Sequence, residues 1–148
     1  MAPDEPSARL WRIIEGSRNG VVATVGPDGT PQLSNIYYVA DASAGVIRFS
    51  TTTVRAKGRN LLRVPRAALH VAGKDFFNFA VAEGDVSLAA AAAPDDAAVD
   101  ELFEVHHALG AASERTGFGD TMLADHRMVV RIHVTRVYGQ LLERERSR

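Results

Sequence analysis

Four hydroxyl side chains and two cations fall within eight residues at Ser50-Thr51-Thr52-Thr53-Val54-Arg55-Ala56-Lys57. Hydroxyls, the open backbone N–H groups of a helix start and paired cations are the groups that hold a phosphate. The helix dipole adds positive charge at the same place. Lys and Arg ordinarily favour the opposite end of a helix, so two of them set against the dipole call for a compensating anion. A polar strand-to-helix loop with a solvated basic face would contain the same residues. Spacing alone leaves both readings open.

A second polar run, Gln32-Leu33-Ser34-Asn35-Ile36-Tyr37-Tyr38, has the composition of a strand that carries amides and phenols. In an extended chain Gln32 and Ser34 share one face, and Asn35 and Tyr37 share the other. Such amides can read the edge of a planar heterocycle, and a solvated antiparallel face would look the same. His106-His107, His126 and His133 lack metal-ligand spacing, and His70 receives no role. Asp95, Asp96, Asp100, Glu101 and Glu104 read as a cap and a wet helix face. There is no cysteine, which removes thiolate nucleophiles and cysteine-ligated metals, and no phosphate-loop or nucleophile-elbow motif is present.

The elements that must position these residues are mostly strands. Asp4-Glu5-Pro6 starts a helix whose stripe is Leu10, Ile13 and Ile14. Val21 to Val25 is β-branched, and Gly26-Pro27-Asp28-Gly29 turns it into a strand from Gln32 to Val39. A third strand, Val46 to Ser50, feeds a helix over Val54 to Val64, which Pro65 ends. Ala67 to Ala72 is strand four, and Phe77 to Ala90 is a long strand five with a bulge at Gly84. Pro94-Asp95-Asp96 opens a helix that Gly110 closes; Ser113 to Asp120 reads as a loop, Met128 to Tyr138 as the last strand, and Glu143 to Arg148 as a solvated tail. Antiparallel hairpins with helices inserted irregularly predict a mainly β protein, a β-barrel with accessory helices.

The 148 residues fit a single domain spanning 1–148, with no repeat or linker to divide it. A net charge of −1 offers nucleic acid no general attraction. The first residues lack the basic and apolar regions of a signal peptide, and no run is long enough to span a bilayer, so a cytoplasmic setting is expected.

In order and spacing, GVVATVGPDGTPQLSNIYY, STTTVRAKGRNLLRVPRAALHV, FNFAVAEGDVSL and RIHVTRVYG resemble the pyridoxamine 5′-phosphate oxidase-like split barrels, over about Leu10 to Gly139. More narrowly the chain resembles the flavin/deazaflavin oxidoreductases of the B class, which use coenzyme F420. The resemblance implies an antiparallel FMN-binding-like split barrel, and a homodimer with a cofactor in each interface cleft. It implies that Arg55 and Lys57 hold the cofactor phosphate, with Ser50, Thr51 and Ala56 beside them. Gln32, Ser34 and Asn35 would lie along the ring system, Asn60 would add a contact, and Phe77 and Tyr138 would arrive from the partner subunit. No counterpart of the substrate-phosphate arginines and histidine of pyridoxamine phosphate oxidase itself stands near Val137-Tyr138-Gly139.

The implied cofactor is coenzyme F420, with FMN as the alternative. The implied reaction is hydride transfer from the reduced deazaflavin to an enone, quinone or bilin. An FMN-dependent oxidase or reductase and a non-catalytic carrier are the competing functions. No residue is singled out as a catalytic acid or base.

Overall fold

The computed structural model describes residues 5–142. The Asp4 helix cap and the tail from Glu143 lie outside the described residues. The elements run α1 (Glu5–Glu15), β1 (Asn19–Val25), β2 (Pro31–Tyr37), β3 (Val39–Asp41), β4 (Val46–Thr52), α2 (Ala56–Arg63), β5 (Arg66–Ala72), β6 (Phe79–Ala90), α3 (Ala97–Ala108), α4 (Phe118–Ala124) and β7 (Arg127–Gln140). No helix among the described residues is long and apolar enough to cross a membrane.

The strands form one antiparallel sheet in the order β2-β1-β5-β6-β7-β4-β3. Its two edges, β2 and β3, are separated in sequence by Tyr38 alone. At roughly 4.8 Å between strands, a flat seven-stranded sheet would hold its edges about 30 Å apart. The chain from Tyr37 to Val39 reaches about 7 Å at most. The sheet therefore curls until its edges meet, giving a barrel split along the β2–β3 seam.

Alternation along the strands fills the inside with Val22, Ile47, Phe49, Leu69, Val71, Met128, Val130 and Ile132, all without exposed surface. Trp11 and Ile14 of α1 join this core. Tyr38 sits in it too, which is why the strand expected from Gln32 to Val39 divides into β2 and β3. Its hydroxyl donates to the Ile14 carbonyl at 2.6 Å, and burial pushes the phenol up to about 12. Within β6, Gly84 sits at the expected bulge. The ladder slips there, leaving Thr135 of β7 without an opposite residue. A Cβ on Gly84 would stand 1.9 Å from the His133 carbonyl oxygen, so only glycine lets the strands approach.

A smaller core lies outside the barrel, where Val99, Leu102, Phe118 and Met122 cover Val129 on the outer face of β7. Asp96 caps α3, its Oδ1 accepting from the Val99 N–H at 2.9 Å. Arg131 of β7 grips Glu101 through both Nε and Nη2, and Arg48 of β4 donates to Glu104 at 2.9 Å, pinning α3 to the barrel.

Helix α4 corrects the expectation of a loop over Ser113 to Asp120. The two glycines that read as loop residues serve packing and a cap. Gly117 takes φ 75° before the helix, and a Cβ on Gly119 would meet the Pro94 carbonyl oxygen at 1.9 Å. Strand β6 starts at Phe79, two residues later than expected. Phe76 and Phe77 lie in the turn before it, 87% and 62% exposed.

Candidate functional site

Strand alternation decides which hydroxyls of the Ser50–Thr53 run can meet a ligand. Ile47 and Phe49 point into the barrel and Thr51 follows them, fully buried. Ser50 consequently faces outward. Thr52 is used locally, its Oγ1 accepting from the Arg55 N–H at 3.1 Å and shaping the turn into α2. Gly58 then brings α2 hard against the end of β4, since a Cβ there would lie 1.9 Å from the Thr52 carbonyl oxygen. The helix start is thereby held beside Ser50. Among the described residues no side chain caps α2, and its first turn contains no acid. Its first N–H groups have no partner within the helix.

A third cation arrives from the other end of the chain. Arg127 opens β7 directly opposite Thr52 in the β4–β7 ladder. Its Nη1 reaches diagonally to within 3.5 Å of Ser50 Oγ. Arg55, Lys57 and Arg127 surround Ser50 in the wall of a cleft of about 1050 Å³. The rest of the lining comes from β1, β2 and β5, with Asn35, Tyr37 and His70 among it, and from His106 and the turn after α3. The cleft thus draws on both sides of the strand order and omits β6. Among the described residues no carboxylate lines it.

The electrostatics are correspondingly one-sided. Burial, then the charges of Arg55 and Arg127, hold the Lys57 ammonium below its usual range. Burial and Arg127 likewise lower His106. Among the described residues, Arg127 Nε and His106 Nε2 are buried without a hydrogen-bond partner, as is Thr51 Oγ1 inside the barrel. Among the described residues, cations without an ion-pair partner lie here beside buried polar atoms without a hydrogen bond, and these are groups that can bind an anion.

The chain matches the family model described as pyridoxamine 5′-phosphate oxidase over residues 8–141. It belongs to that family. Among solved structures, one named F420 reductase is 26% identical, with a TM-score of 0.64 over 93% of this chain and 99% of the other. A conserved hypothetical protein from Mycobacterium tuberculosis is also 26% identical, with a TM-score of 0.65 and coverage of 88% and 81%. A putative pyridoxamine 5′-phosphate oxidase from Listeria innocua, 14% identical at a TM-score of 0.65 over 91% and 98%, shares the fold. The split barrel that the family resemblance implied is therefore the fold of this family member.

The family member's cleft brings together Asn35, Ser50, Arg55 and Lys57 from the residues singled out in the sequence. Ala56, the first residue of α2, lies between the two cations. Gln32 and Ser34 share the opposite face of β2 from Asn35 and are outside the lining. Asn60 is 2% exposed. Its Nδ2 donates to Gln32 Oε1 at 2.6 Å and to Thr24 Oγ1 at 3.0 Å, while its Oδ1 accepts from Arg63 Nη2 at 3.0 Å. Gln32 and Asn60 thus latch α2 to β1 and β2 beneath the cleft. Phe77 and Tyr138 are exposed away from this cleft, Tyr138 under the Arg136 guanidinium at 4.6 Å. Sequence reasoning missed Arg127 and His106. Arg127 comes to Ser50 through the pairing of β7 with β4, which no local pattern announces.

Proposed function

We propose that this chain is an oxidoreductase that binds coenzyme F420 in the cleft and, as a homodimer, delivers hydride to an electron-poor small molecule such as an enone, quinone or bilin. The observation that carries the reading is the cluster of Arg55, Lys57 and Arg127 around Ser50, with no carboxylate in the lining and no side-chain cap on α2 among the described residues. Arg55, Lys57 and the first N–H groups of α2 would hold the anionic end of the coenzyme. Asn35 and Tyr37, on the outer face of β2, would meet its planar part. The likeness to a solved F420 reductase over nearly the whole of both chains supports the deazaflavin over FMN, which offers a phosphate to the same cations. When bound, the coenzyme supplies the hydride, and the chain supplies orientation and exclusion of water. No side chain is assigned a proton transfer.

The test is a side-by-side titration with F420 and FMN, followed by oxidation of reduced F420 against a panel of enones, quinones and bilins. The expected result is saturable quenching of F420 fluorescence and turnover with at least one acceptor. Binding without turnover would make the protein a carrier, and tight binding of FMN alone would make it a flavin enzyme. Replacing both Arg55 and Lys57 by alanine is expected to weaken cofactor binding by about 2–4 kcal/mol, through loss of charge-assisted hydrogen bonds. Retained affinity would overturn the phosphate assignment.

A further inference from the structure

Five arginines elsewhere among the described residues pair with acids. Arg48 pairs with Glu101 and Glu104, Arg131 with Glu101, Arg115 with Asp100, Arg66 with Asp85 and Arg136 with Glu83. Among the described residues no ion pair involves Arg55, Lys57 or Arg127. The chain has 18 acids for its 17 Lys and Arg residues, so the lack of a partner in the cleft is a matter of placement and not of supply. Arg127 is held in this position by backbone pairing at the start of β7, and Ser50 is its one polar side-chain neighbour within hydrogen-bond reach among the described residues. Its Nε faces no acceptor, and His106 beside it buries an equally unpartnered Nε2.

We propose that Arg127, seconded by His106, is an anchoring residue for the ligand, and that the three-cation cage selects an anionic end bearing two negative charges. Three fixed positive charges exceed what a singly charged phosphodiester neutralises. A phosphomonoester dianion satisfies them, and so does a phosphodiester with a carboxylate close by. The proposal rests on the cofactor reading for the ring, while the charge requirement belongs to the cage alone. Arg127 contributes a planar fork of donors from the β7 side, opposite the α2 start, so the anion is gripped from two directions.

The experiment separates cage from ring. Wild type and Arg127→Gln are titrated with FMN, riboflavin, F420 and the deazaflavin chromophore lacking phosphate and tail. The expected result is a 10- to 100-fold loss of affinity for FMN or F420 in Arg127→Gln. Affinity for the uncharged chromophores should stay within twofold, and Arg127→Lys should recover part of the loss. The cage is read independently from melting temperature in inorganic phosphate at pH 8 against dimethyl phosphate, a monoanion. Phosphate should stabilise wild type more than dimethyl phosphate does, and Arg127→Gln should lose that difference. Melting of the ligand-free variant at or above the wild-type temperature shows that it folds; should it not fold, His106→Asn is read in the same way, with a smaller loss expected. Equal affinity of wild type and Arg127→Gln for the charged ligands, or equal stabilisation by phosphate and dimethyl phosphate, would overturn the proposal. If neither chromophore binds wild type but phosphate still discriminates, the cofactor reading fails and the cage stands.

Discussion

Burial and neighbouring guanidinium charge act together on the ionisation of Lys57 and His106. For Lys57 the lowered range comes first from burial and then from two neighbouring guanidiniums, all of which an incoming anion would offset. His106 bears directly on stability. Burial and then Arg127 lower it from its usual 6.5, while the edge of the Phe118 ring packs against the imidazole. Well above pH 6.5 the imidazole is neutral in both folded and unfolded chains and contributes no pH dependence. As pH falls below 6.5 the unfolded chain takes up a proton that the folded one resists, so folding stability drops. Depressed carboxylates such as Asp96 and Glu101 add their own loss only nearer the ordinary carboxylate values of 3.8 and 4.5. Melting temperature measured in chloride without phosphate should therefore fall between pH 7 and pH 5, and His106→Asn should flatten that fall. A wild-type profile that is flat over this range would contradict the shift.

The element that matters most for the site is α2, because its position fixes two of the three cations. Gly58 presses the helix onto the Thr52 carbonyl, and the Asn60–Gln32–Thr24 latch holds it from beneath. Backbone cannot yield to a new methyl group as a side-chain tip can, so Gly58→Ala must push the helix outward. The expected cost is about 1–3 kcal/mol of stability, typical of overpacking. Cofactor affinity should fall with it, since Arg55 and Lys57 move with the helix. Arg59→Ala, on the exposed face of the same helix, should leave both nearly unchanged. Chemical denaturation of the two variants distinguishes these outcomes.

The start of α2 was legible in the sequence, because hydroxyls followed by cations and closed by Pro65 form a local pattern. So were most of the strands, whose alternation and turn residues are local too, but not β3, which was read as the end of β2 and the turn after it. What was not legible is non-local: the closure that hides Gln32 and Asn60 under the cleft, and the ladder that carries Arg127 to Ser50 from 77 residues away. Helix α4 escaped because its glycines serve packing, and glycine reads as a loop until its neighbour is known.

At the scale of the whole molecule, the barrel satisfies its interior but leaves apolar surface outside. Leu33 and Tyr37 on the outer face of β2 are 67% and 68% exposed, and Phe76 and Phe77 project from the β5–β6 turn. Contiguous apolar surface is where another protein can dock, and these side chains supply it in the proposed homodimer. Tyr37 and Asn35 also line the cleft, so whatever covers this face borders the cleft. In the proposed homodimer the covering surface is a second copy, and the cleft is completed across the interface. Light scattering is then expected to give twice the mass of one chain, and Leu33→Glu combined with Phe77→Glu should give a monomer that keeps its fold. Because neither residue lines the cleft within its own chain, a monomer that binds the cofactor as tightly as wild type would show that one chain makes the whole site. A monomer with affinity reduced tenfold or more would show that the partner supplies the remainder. Dilution of wild type should reproduce that loss at the concentration where the dimer dissociates, which ties affinity to association and not to the substituted side chains.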